Sequence, residues 1–351
     1  MNCCAECFGD RGLRRSIIPS RSTTRGRCSY CETDGVVVIE PRELAPYFEL
    51  LLSAYRQDAA GKLLIHWFRE DWALFVHPRM DDSRAKDLLG EILDDGDIPR
   101  ELFVPAHDPA TDRLSEWENL RDELMYHNRY FPEKMIDLDR LEALLSSLTI
   151  DAEELPTRWY RARICVGDVP YTDDQMGAPP NRIASHGRAN PAGIPYLYLG
   201  SDANTAISEI RPHPGEMACV ADFTTPATLK LVDLSTPRKM VSPFVLADAD
   251  EVGRMRNDLP LLERLGSELT RPVIPQSAAI DYTPSQYLCE FIKKCGYHGV
   301  IYRSSVIAGG MNLALFQPTL ATCGTVEQYR VVRVEVDSEM IGHNAGAILG
   351  R

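Results

Sequence analysis

The sequence predicts an α+β protein with three parts: a cysteine-rich knuckle at residues 1–35, a helical domain at 36–152 and a mixed α/β domain at 153–351. Three observations predict this division. Two Cys-x-x-Cys pairs lie in the first part, and apolar residues recur at helical spacing in the second. Short apolar runs between proline- and glycine-rich loops fill the third, as is typical of strands.

The charge and composition of the chain exclude several classes of function. Its 351 residues include 38 Lys and Arg against 51 Asp and Glu, which gives a net charge of −13. That charge argues against broad binding to nucleic acids or anionic membranes. No apolar run reaches the roughly 18 residues of a membrane span, and the first residues lack the apolar region of a signal peptide. We therefore expect a cytoplasmic protein, whose ten cysteines are thiols or metal ligands.

The N-terminal knuckle predicts a structural zinc site. The pairs Cys4-x-x-Cys7 and Cys28-x-x-Cys31 can bring four thiolates to one tetrahedral ion, as in zinc ribbons. Cys3 could substitute for Cys4. Reduced free thiols are the alternative, and a redox role is disfavoured because no βαβ pattern surrounds either pair.

The second part has the apolar periodicity of several helices. Residues 36–39 are a short apolar run, typical of a strand, and the spacing of apolar residues over 44–55 predicts the first helix. Further helices are predicted around residues 88–93, 114–128 and 137–147.

The third part contains a strand–helix unit with polar residues at both ends. A loop from Ser185 to Pro195 precedes an apolar run from Tyr196 to Leu199, which predicts a buried strand. Asp202 can cap a helix from Ala203 to Ile210. Such a unit could aim a loop cation, a strand aromatic and a helix carboxylate at one ligand.

Further elements follow along the chain. We predict a helix over 248–269 with a break near Pro260, and a second helix that Pro284 opens and Gly296 ends. Strands are predicted at 299–302 and 313–316, separated by a glycine-containing loop. Alternation of apolar and polar residues predicts an edge strand from Tyr329 to Val336.

The motif G-R-A-N-P-x-G-x-P-Y-L-Y-L at residues 187–199, followed by Glu209, resembles the RES domain family. The segments Trp159 to Arg163 and Ser285 to Ser305 resemble its opening strand and its closing half. The family commonly has an aromatic residue where this chain has Ala189. The resemblance implies a fold similar to that of ADP-ribosyltransferases, and NAD as substrate.

Residues 1–150 resemble the zinc-containing prefix domain that precedes HEPN and RES domains, which implies a sensing or autoregulatory role. Arg121 and His127 resemble the signature of HEPN ribonucleases. A solvated helix surface is the alternative for these two side chains, since residues six apart do not share a tight helix face.

The RES resemblance implies a role for each candidate residue. Glu209 would stabilise positive charge at ribose C1′ or orient an incoming water or phosphate. Arg188 would bind the diphosphate through paired hydrogen bonds, and Tyr198 would stack on or fence the nicotinamide ring. Ser304, or its neighbour Ser305, would bind a ribose hydroxyl or the carboxamide. Weaker candidates for the same pocket are Arg161 and Asn312.

The predicted function is NAD consumption by a glycohydrolase or phosphorylase, typical of a toxin that depletes NAD. An ADP-ribosyltransferase that modifies a protein, or a nucleotide-binding regulatory module without turnover, are alternatives. An antitoxin or regulatory protein and a second copy of the chain are the partners that this function implies.

Overall fold

The computed structural model describes residues 1–106, 112–150, 154–167, 169–336, 338 and 340. It confirms the predicted α+β class: a cysteine-containing unit and a helical region precede a domain built on a large sheet. The predicted boundary between residues 152 and 153 lies outside the described residues, so the division into domains stays a prediction. In the described part of the chain, no helix has the length and apolar character needed to cross a membrane.

The N-terminal unit is a small three-stranded sheet within residues 1–39, all of which are described, with strand order β1-β3-β2. Gly9 ends the first helix with a φ of 74°, a left-handed conformation that glycine adopts without the steric cost of a Cβ atom. A π-helical turn, Leu13–Ile17, continues into the second helix. The elements are β1 (Cys3–Cys4), α1 (Ala5–Phe8), α2 (Ile18–Arg21), β2 (Arg25–Gly26) and β3 (Val36–Ile39).

Where it is described, the helical region has the predicted amphipathic helices and one small two-stranded sheet. Three of its helices begin at an aspartate, Asp81, Asp112 or Asp137, whose side chain accepts a hydrogen bond from a first-turn backbone N–H. Its elements are α3 (Ala45–Leu52), β4 (Tyr55–Leu63), α4 (Leu64–Trp72), α5 (Asp82–Leu93), β5 (Leu102–Pro105), α6 (Arg113–Tyr126) and α7 (Leu138–Ser147).

The prediction of one helix over residues 44–55 is wrong at its end. Helix α3 stops at Leu52, and Tyr55 begins strand β4. The Tyr55 hydroxyl donates to Asp71 at 2.8 Å and accepts from the Trp72 indole at 2.9 Å. Tyr55 is therefore buried by contact with α4. Its spacing from the apolar residues of α3 is that of one more helical turn, which is why the sequence pattern extended the predicted helix to this residue.

Among the described residues, the C-terminal domain contains an eight-stranded sheet, called here the large sheet, with order β13-β9-β7-β8-β12-β11-β10-β6. Only the β10–β11 pair is parallel. Its strands are β6 (Thr149–Ile150), β7 (Trp159–Ile164), β8 (Leu197–Gly200), β9 (Met217–Thr224), β10 (Leu231–Asp233), β11 (Gly299–Arg303), β12 (Met311–Leu315) and β13 (Thr322–Arg330). The helices of this domain are α8 (Ala203–Glu209), α9 (Pro237–Met240), α10 (Ala249–Thr270), α11 (Ala278–Asp281) and α12 (Thr283–Lys294).

Among the described residues, the period-two alternation of strands places two of the three buried apolar clusters on opposite faces of the large sheet. Leu197 and Leu199 of β8 lie in a cluster with Trp159 on one face. On the other face, Val300 and Tyr302 of β11 join a core that extends into the N-terminal unit and the helical region. The two halves of the chain therefore share one buried apolar core.

Two further expectations differ from the structure. The edge strand is β13, Thr322–Arg330, and not Tyr329 to Val336. Most β13 side chains are exposed, so the sequence of this strand shows little alternation of apolar and polar residues. Its position is set by pairing with β9. Helix α10 continues through Pro260 without the expected break.

Helix α10 connects the halves through buried charges. Asp258 is 1% exposed and forms ion pairs with Arg113 of α6 at 2.5 Å and with Arg140 of α7 at 2.8 Å. A carboxylate buried this deeply is retained only where cations compensate for its lost hydration.

We therefore expect Asp258→Asn to lower the free energy of unfolding by about 3 kcal/mol, because two guanidinium groups lose a buried charge partner. Urea unfolding of the full chain measures this. Arg254→Ala, on the same helix with a 57% exposed side chain, is the control and should change the free energy by less than about 0.5 kcal/mol. Equal losses in both variants would contradict the importance of the buried pair.

Candidate active site and cysteine cluster

A pocket of about 290 Å³ opens on the face of the large sheet that carries Tyr302. Strands β7, β8, β11 and β12, helix α8 and the loop at 185–195 line it. Among the described lining residues, one has a carboxylate, Glu209, and two have guanidinium groups, Arg161 and Arg188. The pocket therefore has a net positive lining in a chain that is negative overall.

Glu209 is the last residue of α8, a helix whose start is fixed because Asp202 accepts a hydrogen bond from the Thr205 N–H. Its Oε1 accepts two hydrogen bonds, from Ser304 Oγ at 2.7 Å and from Asn312 Nδ2 at 2.6 Å. No described residue donates to Oε2. Two donors on one oxygen fix the plane of the carboxylate and leave its second oxygen available to a ligand.

The two donors are themselves fixed by backbone geometry. Ser304 Oγ accepts hydrogen bonds from the N–H groups of Val306 and Ile307 at 3.1 and 3.2 Å. Asn312 lies on β12, directly opposite Tyr302 of β11 in the register. The carboxylate is thus held by β12 and the loop before it, which follow Glu209 by about a hundred residues in sequence.

Arg188 is held between two loops and has no carboxylate partner in the described part of the chain. Its Nη1 donates to the Arg271 carbonyl at 2.7 Å, and its Nη2 donates to Ser305 Oγ at 2.9 Å. The guanidinium lies 5.5 Å from the centre of the Tyr282 ring. Ser285 Oγ donates to its backbone carbonyl at 2.6 Å. The remaining guanidinium N–H groups can bind an anion.

Arg161 of β7 supplies a second cation to the pocket. Its Nη1 donates to the Tyr198 carbonyl at 3.3 Å, while its buried Nε has no hydrogen-bond partner among the described residues. Burial, with a contribution from nearby Arg163, lowers the pKa of Arg161 to about 10. The group therefore remains charged at neutral pH, and an anionic ligand would compensate for its burial.

Tyr198 supports the loop at 185–195. Its hydroxyl donates to Asn190 Oδ1 at 2.7 Å and accepts from the Ala189 N–H at 3.0 Å. Burial raises the pKa of Tyr198 above its ordinary value, so the phenol stays protonated and can donate. Its ring lines the pocket, whereas its hydroxyl is engaged by the loop.

Sequence reasoning missed several residues of this site. Tyr302 lines the pocket, and burial, followed by nearby Tyr198, raises its pKa. Its position two residues before Ser304 was a detectable signal, because alternate residues of a strand share a face. The side chain of Gln286 donates to the carbonyls of Gly187 and Asn190, a loop contact that no local pattern revealed.

The structure brings together the four predicted metal ligands. The Sγ atoms of Cys4, Cys7, Cys28 and Cys31 all lie within 4.8 Å of one another and are buried. Cys4 and Cys31 are 3.5 Å apart, and Cys7 and Cys28 are 3.3 Å apart. Four thiolates at 2.3 Å from a tetrahedral ion would be about 3.8 Å apart. The cluster could hold a metal ion, and Cys3 is not part of it.

The two residues that resemble a ribonuclease signature lie away from the pocket. Arg121 is in α6, where it forms ion pairs with Glu268 at 3.2 Å and with Asp122 at 3.2 Å, and its side chain is mostly buried. His127 follows the end of this helix. The Arg121 guanidinium is therefore engaged in contacts within the protein.

These features define a class of protein: an α+β domain with one oriented carboxylate and two guanidinium groups in a ligand pocket on its sheet. The family model of the RES domain matches residues 158–334, just over half of the chain. The chain therefore belongs to the RES domain family. No curated protein matches the sequence significantly.

One similar solved structure is the crystal structure of the M. tuberculosis MbcT-MbcA toxin-antitoxin complex. The match has 17% sequence identity and a TM-score of 0.30, and it covers 55% of this chain and 94% of that chain. A TM-score this low supports neither a fold nor a function for this chain.

We expect Tyr198→Phe to make the loop at 185–195 more mobile, because Asn190 Oδ1 and the Ala189 N–H lose their common hydrogen-bond partner. The free energy of unfolding should fall by about 2 kcal/mol. Hydrogen–deuterium exchange of that loop should become faster. Tyr329→Phe is the control, since the Tyr329 hydroxyl donates to Glu327 on the exposed edge strand and has no other hydrogen bond to a described residue. If Tyr198→Phe left the exchange unchanged, the hydroxyl would not hold the loop.

Proposed function

We propose that this chain cleaves the bond between nicotinamide and ribose C1′ of NAD, as a glycohydrolase or a phosphorylase, with Glu209 as its catalytic carboxylate. The observation that carries the proposal is the double hydrogen bond to Glu209 Oε1, which leaves Oε2 available in a pocket with two cations. Membership of the RES domain family supports the same reaction class.

The chemistry requires only one carboxylate. When the C1′–N bond breaks, its electron pair neutralises the cationic pyridinium, so nicotinamide leaves without a general acid. The ribose is left with an oxocarbenium-like positive charge, which an ionised glutamate stabilises. If water is the acceptor, its oxygen adds to C1′ and its proton can pass to Glu209 Oε2.

Substrate binding is assigned to the two arginines. The NAD diphosphate carries two negative charges, which Arg188 and Arg161 would balance. Arg188 suits this role because two of its N–H groups are engaged in fixed contacts, which orient the remaining ones. Arg161 suits it because its buried charge has no carboxylate partner among the described residues.

We assign the polar residues around the Glu209 carboxylate to roles other than the substrate contacts that the sequence predicted. Ser304 and Asn312 would act as positioning residues, because their donor groups bind Glu209. Ser305 orients Arg188. The rings of Tyr198 and Tyr302 are pocket walls against which the nicotinamide ring could lie. Toxin activity, and inhibition by an antitoxin, stay predictions.

Incubation of the full chain with NAD should release nicotinamide, and Glu209→Gln should lower the rate by about 10²–10³-fold, since it removes the charge that stabilises C1′. Glu216→Gln is the matched control. Glu216 follows the same helix but contacts the His213 N–H and does not line the pocket, so its variant should keep the wild-type rate.

Product masses in buffers with and without phosphate identify the acceptor. ADP-ribose indicates hydrolysis, its 1″-phosphate indicates phosphorolysis, and ADP-ribose attached to a protein indicates transfer. Saturable NAD binding without nicotinamide release would contradict catalysis and favour a regulatory nucleotide-binding module.

We further propose that the cysteine cluster holds one structural Zn²⁺. Four buried thiols with this spacing are the donor set of zinc knuckles, and all four positions of a tetrahedral ion would be filled by protein. The ion would stabilise the N-terminal unit and would leave no open position for a substrate.

Metal analysis of the purified chain should find about one Zn²⁺ per molecule, and Cys28→Ser should lose it and unfold at lower temperature, because zinc binding contributes directly to folding. Cys3→Ser is the control: Cys3 is buried nearby, but its Sγ is outside the cluster, so zinc should remain. Zinc retained by Cys28→Ser and lost by Cys3→Ser would reverse the ligand assignment.

A further inference from the structure

The carboxylate of Glu268, near the end of α10, lies between the helical region and the pocket. Its side chain is fully buried, and its Oε1 lies 3.2 Å from Arg121 Nε and accepts from the Trp117 indole at 3.3 Å, both on α6. Its Oε2 lies 3.4 Å from Arg271 Nε. The backbone carbonyl of Arg271 accepts the hydrogen bond from Arg188 Nη1.

We propose that Glu268 is a positioning residue that links helix α6 to Arg188, so that the helical region is required for tight binding of the substrate diphosphate. This inference rests on the proposed function of the pocket. It assigns to the N-terminal half of the chain a positive role in substrate binding.

Arg271 can transmit this link because its guanidinium group contacts both Asp281 and Glu268. Its Nη2 donates a hydrogen bond to the Asp281 carbonyl at 2.6 Å, while its Nε forms an ion pair with Glu268 Oε2 at 3.4 Å, without a hydrogen bond between these two atoms. Arg271 immediately follows α10, and its carbonyl direction depends on where its side chain is fixed. Loss of the Glu268 charge would release one side of the Arg271 guanidinium group, and the Arg188 guanidinium would lose one of its two fixed contacts.

The helical region acts at a distance and does not cover the pocket. Every pocket-lining residue in the described part of the chain lies at or after Tyr160. An inhibitory plug would instead place residues of the N-terminal half in the pocket. The ion pairs of Glu268 lead from α6, by way of Arg271, to Arg188.

The effect should fall on binding more than on the chemical step. Ser285 continues to hold the Arg188 carbonyl, and the contacts of Glu209 with Ser304 and Asn312 do not involve α10. A poorly oriented guanidinium weakens its charged hydrogen bonds to the diphosphate, and one such bond corresponds to about tenfold in affinity. We therefore expect a higher KM at nearly constant kcat.

The experiment compares Glu268→Gln with Asp258→Asn in the full chain. Both residues are buried carboxylates of α10 that pair with arginines of the helical region, but no ion pair of Asp258 with a described residue leads to Arg188. Both variants should unfold at lower temperature. Only Glu268→Gln should raise the KM for NAD and the Kd for ADP-ribose by about tenfold, with kcat within about twofold of wild type.

Arg271→Gln breaks the same link without removing the buried carboxylate, which keeps its ion pair with Arg264 at 2.9 Å. It should raise KM like Glu268→Gln, and it covers the case in which that variant does not fold. An unchanged KM in Arg271→Gln, or an equal rise in Asp258→Asn, would overturn the proposal.

Hydrogen–deuterium exchange at residues 185–195 provides a readout that does not need the substrate. Exchange should be faster in Glu268→Gln and Arg271→Gln and unchanged in Asp258→Asn. If the wild-type chain releases no nicotinamide while these exchange differences are present, the proposed reaction fails and the positioning role stands. Unchanged exchange in Arg271→Gln contradicts the positioning role itself.

Discussion

The site depends on how the charge of the Glu209 carboxylate is stabilised in its half-buried position. A half-buried glutamate loses hydrogen bonds to water. In Glu209 they are replaced by hydrogen bonds from two neutral donors, Ser304 and Asn312, and not by an ion pair with a cation. An arginine in direct contact would neutralise the charge that the proposed reaction needs at C1′. Because both donors bind the same oxygen, the carboxylate is fixed in direction while its charge remains available on the other oxygen.

The two guanidinium groups of the pocket are likewise held by neutral groups and not by charges of opposite sign. Neither Arg161 nor Arg188 has a carboxylate partner within the described residues, although the chain has an excess of acidic side chains. They are oriented by carbonyl and hydroxyl oxygens, which fix direction without cancelling charge. The acidic residues Asp258 and Glu268 of α10 instead form ion pairs with arginines at the junction of the two halves. The chain thus separates structural ion pairs from uncompensated charges in the pocket.

Much of this fold follows from local pattern. The strand–helix unit from Leu197 to Glu209 was predictable because alternation, an Asp202 cap and an apolar helix face act within a few residues. The cysteine pairs were predictable because thiolate ligands require short spacing. The edge strand β13 was not, since its exposed side chains carry no apolar signal and its position is set by pairing with β9.

The sequence by itself determined the α+β class, the order of most elements and the identity of the charged residues Glu209, Arg188 and Arg161. Only the tertiary structure decided what those residues contact. The reason is physical: Asn312 follows Glu209 by more than a hundred residues, and only the pairing of β8 with β12 brings them within 2.6 Å. Likewise, the route from α6 through Glu268 to Arg188 exists because helices packed in one core share a buried charge, and no spacing along the chain encodes that contact.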